Sequence, residues 1–195
     1  MSFSAFDLYF LIINLLGFAA GAVNSRVSSK KPEGKSDAVL ALLSVLGGAV
    51  GCLLSVLIFD RKAEKGNMLS RVIMSCLSVI DVIILLMVKG TLSGKLSFAF
   101  WDVFIKYPYA LVYVGLVNVI SFVLYGLDKR KAVKGKNRIR IVTLLGSAFI
   151  GGSVGSLAGM YLFRHKTDKN YFYIGVPLMV VMQVFVLFYL SNLLC

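Results

Sequence analysis

The chain has 195 residues, 58% of them hydrophobic and 15% charged, with a mean hydropathy of +0.86. Such a composition excludes an ordinary soluble domain, which needs far more polar surface to cover its core. The formal net charge of +12 would suit nucleic acid, but the Lys and Arg residues sit in short connections between apolar runs. There they anchor helices at headgroup depth, and anionic lipid is the more economical partner.

The apolar runs are long and do not alternate, so they predict membrane-spanning helices rather than the short alternating strands of a barrel. The expectation is an all-α polytopic protein of the cell membrane, with spans near 7–23, 38–59, 71–89, 109–127, 141–163 and 172–194. The first span carries Asn14 near its middle, where a polar amide wants a partner. It could line a permeation path or bond a neighbouring helix. The second carries Gly47, Gly51 and Ser55, small residues at every fourth position that would make a flat packing stripe on a continuous helix. Asp81 lies deep in the third span, where a carboxylate is costly and is read as a proton or cation ligand, or as a protonated hydrogen-bond partner. Over 95–106 the charges flank an aromatic stripe at helical spacing, which predicts a short helix lying in the membrane interface. Pro108 then opens the fourth span at a position where its missing N–H costs little.

The fourth span repeats the mid-span amide as Asn118 and ends at Asp128-Lys129, with Arg138 and Arg140 beyond it. The fifth repeats the small-residue stripe as Gly151, Gly155 and Gly159, and it ends at Arg164-His165-Lys166-Thr167. These basic groups either cap helix ends and anchor them at headgroups or form a site for anionic headgroups or phosphate. Cys52, Cys76 and Cys195 have no metal or redox spacing, and His165 is the single histidine, so no metal, cofactor or catalytic constellation is legible. The chain is read as leaning away from an enzyme.

Sliding the chain against itself by 104 residues aligns Tyr9 with Tyr113, Asn14 with Asn118, and Gly47, Gly48 and Gly51 with Gly151, Gly152 and Gly155. The match predicts two three-helix copies, 1–89 and 109–195, joined by an interfacial linker, 90–108. Three crossings per copy would invert one copy relative to the other, an arrangement many transporters use. A rival topology makes the middle segment of each copy a re-entrant hairpin folded at its glycines. Counting Lys and Arg by face then gives about 18 against about 3 instead of about 11 against about 10, a much better fit to the positive-inside rule. The four-residue spacing of small residues favours unbroken rods, and so a 3+3 inverted repeat.

From Asn118 to about Phe172 the chain resembles the uncharacterised membrane family known as domain of unknown function 1294. The resemblance is carried by Asp128-Lys129, Arg138, Gly151-Gly152, Gly155, Gly159-Met160 and Arg164-His165-Lys166-Thr167. It implies a small bacterial-type membrane protein and no particular activity. The first copy departs from the pattern, with Asn24-Ser25 in place of Asp128-Lys129 and Asp60-Arg61-Lys62-Ala63 in place of the Arg-His-Lys-Thr run. It therefore reads as a degenerate copy without the charged site. Two functions follow as expectations. One is a small transporter or channel with its path near Asn14, Asn118 and Asp81. The other is a non-transporting module whose basic loops bind anionic lipid headgroups, a lipid-linked phosphate, a second copy or another membrane protein. A membrane-embedded enzyme acting on lipid phosphates would need the re-entrant topology, with His165 or Asp128 as its base or nucleophile.

Overall fold

The computed structural model describes residues 5–27, 38–60, 66–90, 98 and 100–194, and every regular element among them is helical. Among the described residues six helical segments are long and apolar enough to cross a membrane: Ala5–Ser25, Val39–Phe59, Met68–Val88, Pro108–Val133, Ile141–Leu162 and Asn170–Leu194. The described residues divide into two compact units, one ending at Leu85 and the other beginning at Leu86.

In the first unit, α1 (Ala5–Val27) exposes Leu8, Ile12, Leu15 and Leu16, as suits a helix facing lipid rather than water. The second segment is not a single rod. It consists of α2 (Ala38–Leu43), a wide turn over Ser44–Gly48, and α3 (Ala49–Phe59). Gly47 has φ +99°, a conformation costly for any residue with a Cβ. Past that point the chain doubles back. Leu40 packs with Cys52 and Val56, yet on a straight helix Leu40 and Val56 would stand about 24 Å apart.

The direction of α3 gives the same result. The Tyr9 hydroxyl donates to the Leu46 carbonyl at 2.7 Å, Asn14 accepts from the Gly51 N–H at 2.8 Å, and the Phe18 and Phe59 rings lie 5.9 Å apart. Later residues of α1 meet later residues of α3, so the two helices run parallel. A rod leaving α1 through one short connection would have to run antiparallel to it. A Cβ on Gly51 would come within 1.9 Å of the Asn14 carbonyl oxygen, so a glycine is what lets the two backbones touch. α4 (Met68–Val88) closes the unit. Its Asp81 is buried and accepts the Ala49 N–H at 3.1 Å, capping the positive end of α3.

The second unit opens with α5 (Phe100–Lys106). Phe100 and the preceding Phe98 pack on Phe188, Lys106 bonds the Leu194 carbonyl, and Trp101 and Ile105 are exposed. The rest of the expected interfacial stretch lies outside the described residues. α6 (Pro108–Val133) has proline in its first turn and ends in a Schellman turn. There Gly135, with φ +63°, donates to Ala132 O at 3.3 Å, and Lys136 donates to Lys131 O at 2.9 Å.

The next segment again breaks, into α7 (Ile141–Ser147), a wide turn over Ala148–Gly152 with Gly151 at φ +130°, and α8 (Ser153–Leu162). α8 runs parallel to α6, with Asn118 against Gly155, Phe122 against Gly159 and Phe163, and Phe163 over Gly126. α9 (Asn170–Tyr173) leads into α10 (Gly175–Leu194). From α10, Gln183 donates to the Ala148 and Phe149 carbonyls at 2.7 and 3.2 Å and accepts from the Ser153 hydroxyl. It thereby bridges both sides of the bend.

The expectation of unbroken rods over 38–59 and 141–163 is corrected. Gly47 and Gly151, expected in the packing stripe, are the hinges. The stripe proper begins past the bend, on Gly51 and Ser55 of α3 and on Gly155 and Gly159 of α8. Four-residue spacing persists across each hinge by count alone, which is why it passed for a continuous helix.

Candidate functional site

Folding α7 and α8 back on each other brings two basic segments to one place. Ile139, just before α7, and His165, just after α8, would be about 39 Å apart on a straight helix. Both bond the same carboxylate. Asp128, near the end of α6 and 0% exposed, accepts the Ile139 N–H on Oδ1 at 2.7 Å and the His165 Nε2–H on Oδ2 at 2.8 Å. Lys166 Nζ adds an ion pair to Oδ2 at 2.7 Å and lies 4.8 Å from the centre of the buried Phe172 ring. A carboxylate only accepts, so His165 must carry its proton on Nε2.

Local sequence sets up this geometry. α8 ends in a Schellman turn in which Arg164 donates to Tyr161 O at 3.1 Å and His165 donates to Met160 O at 3.0 Å. The left-handed position is held by Arg164, φ +44°, where glycine is usual, and Lys166 is left-handed as well at φ +65°. Two strained non-glycine residues bracket His165, at an order of 1–2 kcal/mol each. The contacts of His165 and Lys166 with Asp128 are what hold the turn in that shape. Burial pushes the Lys166 ammonium below the usual lysine range, the bond to Asp128 opposes that shift, and nearby Arg138 reinforces it.

Around this closed centre Arg138, Arg140 and Arg164 are exposed and Lys129 and Thr167 are half-buried. None of the four cations has a carboxylate within ion-pair distance among the described residues. Asp128 is therefore spent on internal structure, and a set of uncompensated cations surrounds it. The chemistry on offer is recognition of an anion with several oxygens, by guanidinium groups able to bond two at a time.

The other expected site residues are placed differently. Asn14 donates to Phe10 O at 2.8 Å and Gly47 O at 2.9 Å while accepting from Gly51. Asn118 donates to Val114 O at 2.8 Å and Gly151 O at 3.0 Å and accepts from the Gly155 N–H at 2.6 Å. Each amide satisfies a carbonyl and an N–H that the helix break sets free. Tyr113 donates to Ile150 O at 2.6 Å, as Tyr9 does to Leu46 O. Every one of these bonds recurs 104 residues along the chain. Asp81 caps a helix inside the first unit, and Gln183 takes the comparable place in the second. In the first unit Asp60 accepts from Asn67 Nδ2 at 2.6 Å and lies 3.8 Å from Arg71; Arg61, Lys62 and Ala63 are outside the described residues. Sequence reading missed the Ile139 amide, the cation–ring contact at Phe172 and the Gln183–Ser153 pair. Of these, only Gln183 had a visible signal, as a polar residue inside the last span.

A family model described as "Protein of unknown function (DUF1294)" matches residues 118–172, the stretch that holds Asn118, the hinge, Asp128 and the His165 turn. The chain is also 42% identical over 71 residues to the "Uncharacterized protein YsdA" of Bacillus subtilis (strain 168), a match covering 36% of this chain and 80% of that protein. No solved structure matches the chain.

Proposed function

We propose, for a chain that belongs to the DUF1294 family of unknown function, that its second unit is a membrane-embedded receptor for phosphate headgroups and carries no solute across. The observation behind this is the convergence of Ile139 and His165 on Asp128, which brings Arg138 and Arg140 to the same mouth as Arg164 and Lys166. All of these groups sit at span ends, the depth of lipid phosphates. The transport reading relied on unbroken rods and on mid-span amides free to line a path, and the amides of Asn14 and Asn118 are engaged in holding the bends.

The recurrence of the Tyr, Asn and Gly hydrogen bonds at a spacing of 104 residues supports two tandem copies of one unit. In our reading each copy crosses the membrane twice and dips into it once, and both copies share one orientation in the cell membrane. About 18 of the basic residues then share a face with about 3 opposite, as the positive-inside rule favours. The first copy keeps the bend and carries Asn24-Ser25 where the second has Asp128-Lys129, so our reading places the site in the second copy.

Detergent-solubilised protein tests the proposal through its unfolding midpoint. Short-chain phosphatidate should raise it, as a ligand of the folded state must, and phosphatidylcholine should not. Replacing Arg138, Arg140 and Arg164 by Gln should weaken the phosphatidate effect roughly 100-fold in concentration, at about 1 kcal/mol per removed charge. Equal shifts with both lipids, or an unchanged triple variant, would refute it.

A further inference from the structure

His165 differs from the other basic residues of the site in being oriented. Its Nε2–H is tied to a fully buried carboxylate at 2.8 Å, and the second oxygen of that carboxylate is fixed by a backbone N–H at 2.7 Å. Among the described residues nothing bonds its Nδ1, and the side chain is 13% exposed. Bonding one ring nitrogen to a carboxylate sets the tautomer and raises the electron density of the other, the arrangement that prepares an imidazole to attack. The turn that presents it is left-handed at Arg164 and Lys166 on either side, and the contacts of His165 and Lys166 with Asp128 hold it there. Arg138, Arg140 and Arg164 supply the remaining requirement, since a phosphate dianion repels a nucleophile until cations neutralise its oxygens.

We infer that His165 is a phosphoryl acceptor acting on lipid phosphate monoesters at the membrane surface, a step that rests on the headgroup-binding proposal above. Nδ1 attacks phosphorus, and an N–P bond forms as the P–O bond to the lipid alcohol breaks. The bonding pair leaves on the alkoxide, which takes a proton from interfacial water. A second water then attacks phosphorus, the N–P bond returns its pair to Nδ1, and inorganic phosphate departs. The proton this water loses replaces the one taken earlier, so monoester and water give alcohol and phosphate. Asp128 is a positioning residue in this scheme, and the lipid alcohol remains in the bilayer.

The full-length protein in liposomes containing phosphatidate should release inorganic phosphate and accumulate diacylglycerol. Acid-sensitive, base-stable phosphate should be trapped on the protein after rapid quenching. His165→Gln, whose amide can still donate to Asp128, should keep the phosphatidate-dependent rise in midpoint and lose release by about 1,000-fold or more. His165→Ala should regain part of the release on addition of imidazole. Inorganic phosphate in place of phosphatidate separates free from lipid-borne phosphate, and it should reproduce little of the midpoint rise. Absence of release from wild-type protein that still shows the rise would overturn the inference and leave the binding proposal standing. Absence of the rise itself would remove both. Release undiminished in His165→Gln would likewise overturn it.

Discussion

Asn118→Leu should unfold the second hairpin and lower the stability of the solubilised protein by about 4 kcal/mol. Leucine keeps the branched shape of the side chain, but its methyl groups are larger than the amide and cannot bond, so the Gly151 carbonyl and the Gly155 N–H lose their partners. Leaving a buried polar group unmade costs about 1–3 kcal/mol, and more where no water can reach. Asn118→Asp, which keeps the acceptor and loses the donor, should fall between. Asn14→Leu should do the same to the first unit, where the same bonds are made. Denaturant titration followed by helicity measures this. An asparagine that lined a permeation path would give the opposite outcome, with folding intact and flux gone, so one variant separates the two roles.

Asp128→Ala should be comparably damaging, at about 3–5 kcal/mol. It strands the Lys166 ammonium, already pushed below the usual lysine range by burial, together with the Ile139 N–H. Most of that loss is the penalty of an uncompensated buried cation rather than the worth of the pair. The double substitution Asp128→Leu with Lys166→Met should therefore recover a good part of the stability and none of the phosphatidate response. Additive losses in that cycle would mean that the two side chains are not coupled. Trypsin should also cut the Asp128→Ala protein faster at Lys136 and Arg138, because the loop they occupy is held to α6 through the Ile139 N–H.

The helical class, the segment boundaries and the charged cluster were legible in sequence because each depends on composition over a window. Asn14, Asn118 and the glycines stood out for the same reason, each being chemically exceptional in an apolar run. The breaks at Gly47 and Gly151 were not legible in this way. Whether Gly47 continues a helix or reverses it depends on a single φ angle, and a spacing of four is the same number on either side of a bend. The charge count by face pointed toward the bend, because folding a segment back changes which loops share a side. What bonds Asp128 could not be read either, since Ile139 contributes only its backbone, which has no residue-type signature. Gln183 offered a partial signal, but its partner Ser153 is one small residue among many.

Whether 141–162 enters and leaves the membrane on one face can be measured directly. Lys136→Cys and Asp168→Cys, each placed in protein whose Cys52, Cys76 and Cys195 are changed to Ser, flank the segment at the mouth of the hairpin. A membrane-impermeant maleimide added to sealed, oriented vesicles should label both from the same side and neither from the other. Labelling of the two from opposite sides would mean that α7 and α8 form a crossing, and the site around Asp128 could not exist.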